Sequence, residues 1–410
     1  MNIKKNSGKI AVFHFSDCYY PRINGVTSAI DSISSSQIKS GVLPIIIAPN
    51  YKTLSQKKLQ KGSSVKIIRL DAVSLRFSRE DSFILINKKN INAVLGETEK
   101  LLSEGHKIIF HLHNIFNASV IAFKVKKIIY QKRKIRIPVV LTYHTIWENY
   151  LHYLPLPEFL SKILLKRRTI YVLKRCNFVI APDKSVASYL KNYGYDNKSR
   201  TVILPSPADK IFFQKNKSLN GILKKFKIKK NNYFMYAGRL SREKNIYFLI
   251  DIFNEMKKLS DKKHKLIICG EGPERNNLML YARKMGIGSS IIFTGYLRKN
   301  DLKFLYCNCE GLLFTSKTET QGLVVIEAMS QGALTFLPDA PPFNNIINNN
   351  KNGFLLKENA PNLFAMRMLE ILNNKKICST VRKNSIKSAR KYNPHAYMIA
   401  VNIVYQKNLK

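Results

Sequence analysis

In the stretch TETQGLVVIEAMSQG, residues 318–332, two glutamates flank a glycine at what reads as the start of a helix. The first turn of a helix leaves backbone amides without intrahelical acceptors, and the helix dipole puts partial positive charge there. The amides of Gly322 and Leu323 are therefore suited to a phosphate. Glu319, just before the helix, is placed to accept hydrogen bonds from sugar hydroxyls. Glu327, inside the helix, could accept from a ribose. The plainer alternative is an N-cap region plus one buried helix glutamate. A carboxylate set between Ile326 and Ala328 needs a polar partner, which favours the binding role.

Other residues capable of chemistry stand at comparable places. Arg239 and Lys244, in YAGRLSREKN, follow an apolar run and precede a helical one. Two fixed cations there suit a nucleotide diphosphate. Gly270 and Gly272, in CGEGPE, free a turn at the next helix start and are expected to belong to the same donor-binding set. Gly25, in SDCYYPRINGVTSA, opens the first helix, where it serves either a close approach of backbone to phosphate or sugar, or simply the turn. His144 closes the run PVVLTYH, with Tyr143, Trp147, Tyr150 and Tyr153 around it and Glu148 and His152 beside it. A binding role and a structural role are both open for that histidine. The lone tryptophan among tyrosines suits an apolar acceptor or a membrane interface.

These residues need a frame that brings strand ends together. Apolar runs at 9–15, 42–49, 107–113, 138–144 and 177–182 read as buried parallel strands, with helices near 24–40, 86–104, 117–131 and 184–193. The pattern restarts with strands at 233–238, 264–270, 290–295 and 311–316 and helices near 245–258, 273–285, 300–307 and 322–332. Alternation of this kind predicts an α/β chain of two Rossmann-like, doubly wound domains facing a central cleft, with ligands at the carboxyl ends of the strands. A polar, basic segment near 205–230 marks the boundary, giving domains 1–205 and 206–391. A last helix within 392–410 is free to pack back on the first domain.

Length and composition agree with this frame. The chain has 410 residues, 45% hydrophobic and 10% aromatic, which is globular and too long for a single ordinary core. Its formal net charge is +43. Such charge attracts polyanions, either nucleic acid or an anionic membrane. An AT-biased genome explains part of the lysine excess equally well. No recognisable nucleic-acid-binding module accompanies the charge, so a specific nucleic-acid partner is not expected. The segment PEFLSKILLKRRTIYVLKR (157–175) is a basic amphipathic helix, either a membrane face carrying Lys166, Arg167 and Arg168 or a solvated one. No apolar run is long enough to span a bilayer, and MNIKKNSGKIAVFHF reads as a first strand rather than a leader. The six scattered cysteines read as free thiols of a reducing compartment, with zinc at Cys307 and Cys309 the weaker alternative.

The motifs YYPRINGV, TYHT, GRLSREKN, GEGP and TETQGLVVIEAMSQG, in that order over about residues 9–356, resemble glycosyltransferase family 4, the retaining GT-B-type sugar transferases. The last motif looks like that family's E-x7-E signature. The resemblance implies a nucleotide-diphosphate-sugar donor on the C-terminal domain, UDP-glucose or similar, with no metal and no separate cofactor. It implies that Arg239 and Lys244 grip the diphosphate, Glu319 the donor sugar and Glu327 the ribose, with the Gly25 loop beside the diphosphate and His144 near the reacting sugar. The stretch YHTIWENYLHYLP and the variant ETQG look closest to diacylglycerol glucosyltransferases, peripheral enzymes of the inner face of the cell membrane. A saccharide acceptor is the alternative. LPSPADKIFF and PDAPPFNNII depart from the family pattern at the linker and after the E-x7-E helix.

Overall fold

The computed structural model describes residues 9–51, 65–75, 78–153, 156–197, 199–214, 220–341 and 343–409. The first eight residues, where the leader question arose, and part of the expected linker, 215–219, lie outside that set. The chain divides into two compact units, Met1–Pro207 with Pro394–Lys410, and Ala208–Asn393.

The first unit contains β1 (Ile10–Phe15), β2 (Leu43–Pro49), β3 (Lys66–Leu70), the hairpin β4 (Ala72–Leu75) and β5 (Ser78–Ile84), then β6 (Lys107–Leu112), β7 (Val139–Thr142), β8 (Phe178–Ala181) and β9 (Thr201–Ile203). Outside the hairpin, the strands form one parallel sheet in the order β3-β2-β1-β6-β7-β8-β9. Helices α1 (Gly25–Lys39), α2 (Lys88–Ser103), α3 (Asn117–Arg133), α4 (Glu158–Leu173) and α5 (Lys184–Lys191) connect them. Their starts follow the local sequence. Asn24 accepts from the Thr27 amide, Asn87 from Asn90 and Asp183 from Val186, each capping a helix whose first amides lack other helical partners. At α3 the cap comes from the loop after β1: both Asp17 carboxylate oxygens accept from the Ala118 amide, at 3.1 and 3.2 Å.

The second unit repeats the design. Its parallel sheet is built from β10 (Tyr233–Ala237), β11 (Lys265–Cys269), β12 (Ile291–Gly295), β13 (Gly311–Leu313), β14 (Leu334–Pro338) and β15 (Phe354–Leu356), in the order β12-β11-β10-β13-β14-β15. Helices α6 (Asn220–Phe226), α7 (Ile246–Leu259), α8 (Arg275–Lys284), α9 (Lys299–Asn308), α10 (Leu323–Ser330), α11 (Pro361–Asn373) and α12 (Lys375–Ala389) accompany it. The chain then leaves this unit. Its last helix, α13 (Pro394–Leu409), buries Tyr397, Met398, Val401, Val404 and Tyr405 against Val12, Ile33, Ile109 and Val140 of the first. Those five positions recur at helical spacing, so a single face of α13 completes that core.

Several strands were not anticipated from the sequence. β9 and β15 have three residues each, too few for a period to declare itself, and β3 (KIIRL) breaks its apolar run with Lys66 and Arg69 at the sheet edge.

The glycines of CGEGPE also have a packing role that the sequence did not show. Gly270 has φ +136°, and a Cβ there would lie 1.9 Å from the Gly238 carbonyl oxygen; at Gly272 it would lie 2.2 Å from that of Leu240. The loops after β10 and β11 run against each other, with Gly238 N donating to Cys269 O at 3.0 Å and Leu240 N to Glu271 O at 2.9 Å. The absent side chains at Gly270 and Gly272 thus admit a neighbouring backbone. Gly270→Ala meets both an unfavourable φ and a backbone clash, and we expect it to cost roughly 2–5 kcal/mol of stability in urea unfolding. Gly25→Ala, where a Cβ meets nothing within 4 Å, serves as the control. A Gly270→Ala protein as stable as that control would contradict the packing argument.

Candidate active site

In the second unit, the loop after β10 and the loop after β13 carry the residues singled out by sequence. Hydroxyls lace these loops together. Thr315 Oγ1 donates to Asn245 O at 2.8 Å and Ser316 Oγ to Glu243 O at 3.4 Å. Thr318 Oγ1 donates to Glu243 O at 3.3 Å. The lacing sets Lys244 against Glu319, with Nζ 2.5 Å from Oε1 and both side chains largely enclosed, at 12% and 17% exposure. One cation and one carboxylate, expected from the sequence to meet different parts of a donor, are therefore held side by side at the strand ends. Arg239 is half-buried at the β10 end, and its carbonyl accepts from the Tyr236 hydroxyl at 3.0 Å.

Gly322 is the N-cap of α10, with φ +73° and no side-chain cap. A Cβ there would meet Phe343 Cε1 at 2.9 Å, so the left-handed turn and the close packing both require glycine. Leu323, half-buried, begins the helix, whose first turn presents amides without helical acceptors. Glu327 lies one turn further on and is buried. Burial raises its carboxyl to about 8, opposed by the nearby Lys299 ammonium and reinforced by Asp209. Lys299 and Asp209 form an ion pair with each other. Glu327 is thus a predominantly neutral carboxyl near pH 7, able to donate as well as accept. The sequence reading gave it only acceptor character.

In the first unit, Gly25 is exposed and opens α1 behind the Asn24 cap. His144, just past β7, is partly exposed, with Nε2 2.9 Å from His113 Nδ1. Glu148 does not pair with it; Glu148 instead accepts from the Tyr193 hydroxyl at 2.6 Å. Trp147 packs edge-on to Phe116, at 4.5 Å between ring centroids, and Tyr150 lies 6.0 Å beyond. Both are half-buried. Two expectations are corrected here. Tyr143, read as an acceptor or membrane contact, is 2% exposed and is a core residue. Arg168, read as part of a membrane face, turns inward. Its Nε donates to Ile115 O at 2.7 Å, and its guanidinium opposes the burial that raises the Asp17 carboxyl to about 7. Lys166 and Arg167 are exposed.

Sequence reading missed three more histidines. His14, His111 and His113 are fully buried at the ends of β1 and β6, next to His144. The signal was present: adjacent core strands each carry a histidine near the carboxyl end, and positions 111 and 113 share one face of β6. The three lie close enough to hold a metal ion. However, all six of their ring nitrogens already have partners within 2.9 Å: Gln37, Thr142, Tyr405, His144 and one another. The arrangement is a hydrogen-bonded network, not a vacant ligand set.

Comparison with known proteins gives context. Residues 23–209 match the family described as Glycosyltransferase Family 4, and residues 221–391 match Glycosyl transferases group 1. Alpha-monoglucosyldiacylglycerol synthase of Streptococcus pneumoniae is 25% identical over 346 residues, which is 83% of this chain and 74% of that protein. The protein of the same name from Acholeplasma laidlawii is 24% identical over 402 residues, 95% of each chain. Among solved structures, Anabaena HepE in complex with UDP and glucose superposes with a TM-score of 0.75 at 14% identity, over 97% of this chain and 100% of that one. Sucrose-phosphate synthase from Thermosynechococcus elongatus gives 0.76 at 14% identity, over 97% and 99%.

The raised Glu327 carboxyl predicts a pH signature. The folded state holds this proton up to about pH 8, whereas an ordinary glutamate releases it near 4.5. Between those values the folded protein binds more protons than the unfolded chain, so stability falls as pH rises through the window and levels off above it. Glu327→Gln removes the titration, so the wild-type-minus-variant stability difference should decline over that interval in pH-dependent unfolding. A difference that is flat with pH would contradict the assignment.

Proposed function

Because the chain is a glycosyltransferase of the family 4 and group 1 type, with the GT-B fold, we propose that it transfers glucose from UDP-glucose, with retention, to a hydroxyl of a membrane lipid such as diacylglycerol. In this reading Arg239, Lys244 and the α10 amides at Gly322 and Leu323 neutralise the diphosphate as charge builds on the leaving UDP. Glu319 holds sugar hydroxyls, the neutral Glu327 carboxyl meets the ribose, and the Gly25 loop lies beside the diphosphate. His144 positions the sugar. The acceptor hydroxyl attacks from the leaving-group side and passes its proton to the departing phosphate, so no carboxylate pair needs to bracket the bond as in glycosidases. The cations do the electrostatic work without a metal.

One observation carries the lipid reading. α4 buries Ser161, Leu165, Thr169 and Val172 and turns Phe159, Leu160, Ile163 and Leu164 to solvent, with Phe159 63% and Leu164 53% exposed. Lys162, Lys166 and Arg167 are exposed among them. Large apolar side chains interleaved with cations match an anionic bilayer surface. Among the described residues no helix is long and apolar enough to cross a membrane, so the proposed attachment is peripheral, on the inner face of the cell membrane. The names of the two synthases, which specify a glucosyl-diacylglycerol product, support the same acceptor.

A screen of nucleotide sugars for release of nucleoside diphosphate tests this. We expect UDP release from UDP-glucose, enhanced by vesicles of anionic lipid containing diacylglycerol. Ile163→Asp with Leu164→Asp should abolish flotation with those vesicles while sparing slow donor hydrolysis. Removing Lys166 or Arg167 should weaken flotation about fivefold each, from roughly 1 kcal/mol per cation. No vesicle binding by the wild type, or equal loss of binding and hydrolysis in the variants, would overturn the lipid acceptor.

A further inference from the structure

The first unit contains a continuous line of side chains from α1 to the end of β7. Gln37 Oε1 lies 2.7 Å from His14 Nε2. His14 Nδ1 lies 2.9 Å from His113 Nε2, and His113 Nδ1 lies 2.9 Å from His144 Nε2. The rings are parallel enough to stack, with interplanar angles of 29° and 19° along the chain. Each neutral imidazole has one N–H and one lone pair, so in such a line the proton positions are not independent. Once the first bond is given a direction, every later one follows.

We propose that Gln37, His14 and His113 are positioning residues that fix the proton of His144 on Nε2 and leave its Nδ1 as an acceptor. The direction is set at Gln37. Its carbonyl oxygen faces His14, and its Nε2 faces the Tyr405 hydroxyl at 3.4 Å. An amide oxygen can only accept, so His14 must carry its proton on Nε2. His14 Nδ1 is then a lone pair, which His113 meets with an Nε2–H. His113 Nδ1 is in turn a lone pair, which His144 meets with its Nε2–H. The other side of Gln37 closes consistently. Tyr405, receiving from the amide, donates to His111 Nδ1 at 2.7 Å, and His111 Nε2–H donates to Thr142 Oγ1 at 2.7 Å.

Charge does not disturb the line. Burial holds His14 down to about 4 and keeps His111 and His113 well below the ordinary histidine range, and desolvation lowers His144 as well. All four are therefore neutral at pH 7, and each retains a single N–H. A neutral chain costs less to bury than a charged one, but only while every donor meets an acceptor. With the Gln37 oxygen on His14, every donor along the three rings meets an acceptor.

The consequence for substrate rests on the proposed placement of His144 beside the donor sugar. A His144 locked in this tautomer receives a hydrogen bond from a hydroxyl through Nδ1 and does not donate to a phosphate oxygen from that atom. The proton assignment itself needs no substrate, so it is tested separately.

The test is long-range 1H–15N correlation on the full chain labelled with 15N-histidine, which separates the two neutral tautomers by their nitrogen shifts. Signals are assigned by single histidine substitutions. In the wild type at pH 7.5 we expect His14, His113 and His144 all as Nε2–H. In Gln37→Leu, which removes the directing acceptor, we expect His144 to lose that single form and populate Nδ1–H. A His144 carrying its proton on Nδ1 in the wild type, or mixed tautomers there, would overturn the proposal even if Gln37→Leu did not fold. So would an unchanged His144 tautomer in a folded Gln37→Leu protein.

Discussion

Both main sheets are parallel throughout, and that constraint places everything else. A parallel strand can be followed only by a crossover connection, so every strand of a sheet ends at the same edge and every outgoing loop starts there. In the first unit that edge gathers Asp17 after β1, His113 after β6 and His144 after β7. In the second it gathers Arg239 and Lys244 after β10, the Gly270 and Gly272 turn after β11, and Glu319 after β13. Within each unit, residues far apart in sequence come to one edge because topology leaves their loops no other place to begin.

What topology brings near, local chemistry then fixes. The hydroxyls of Thr315, Ser316 and Thr318 reach the carbonyls of 243–245 and tie the β13 loop to the β10 loop. The Lys244–Glu319 pair is a product of that tie. It satisfies two partly buried charges, and under the proposed function a diphosphate would share or displace the carboxylate's hold on Lys244. Such a pair holds the ammonium and the carboxylate in defined positions at the strand edge.

The sequence made much of this legible, and the failures have physical causes. Long apolar runs such as KIIFHLH and HKLIICG declare buried strands, and the places of Gly25, His144, Arg239, Lys244 and Glu319 after them point to the carboxyl edge of each sheet. Strands of three residues carry no period, so β9 and β15 were invisible. Arg168 reads as surface because arginine usually is; its inward turn depends on the Ile115 carbonyl and Asp17, which come from another part of the chain. Gly270 reads as a turn glycine without a packing role, because the backbone that packs against it comes from the loop after another strand. The histidine line was missed for a related reason. His14, His113 and His144 are a set only after β1, β6 and β7 are placed side by side.

The central claim is that the strand edge of the second unit binds a nucleotide sugar, with Lys244 on the diphosphate and Glu319 on the sugar. Titration calorimetry with UDP and with UDP-glucose tests it directly on the wild type, Lys244→Met and Glu319→Gln. The account predicts that Lys244→Met weakens both ligands by roughly 10- to 100-fold, as for loss of a charged hydrogen bond. It predicts that Glu319→Gln leaves UDP nearly unchanged and weakens UDP-glucose selectively. UDP affinity that is absent in the wild type or unaltered in Lys244→Met would contradict it.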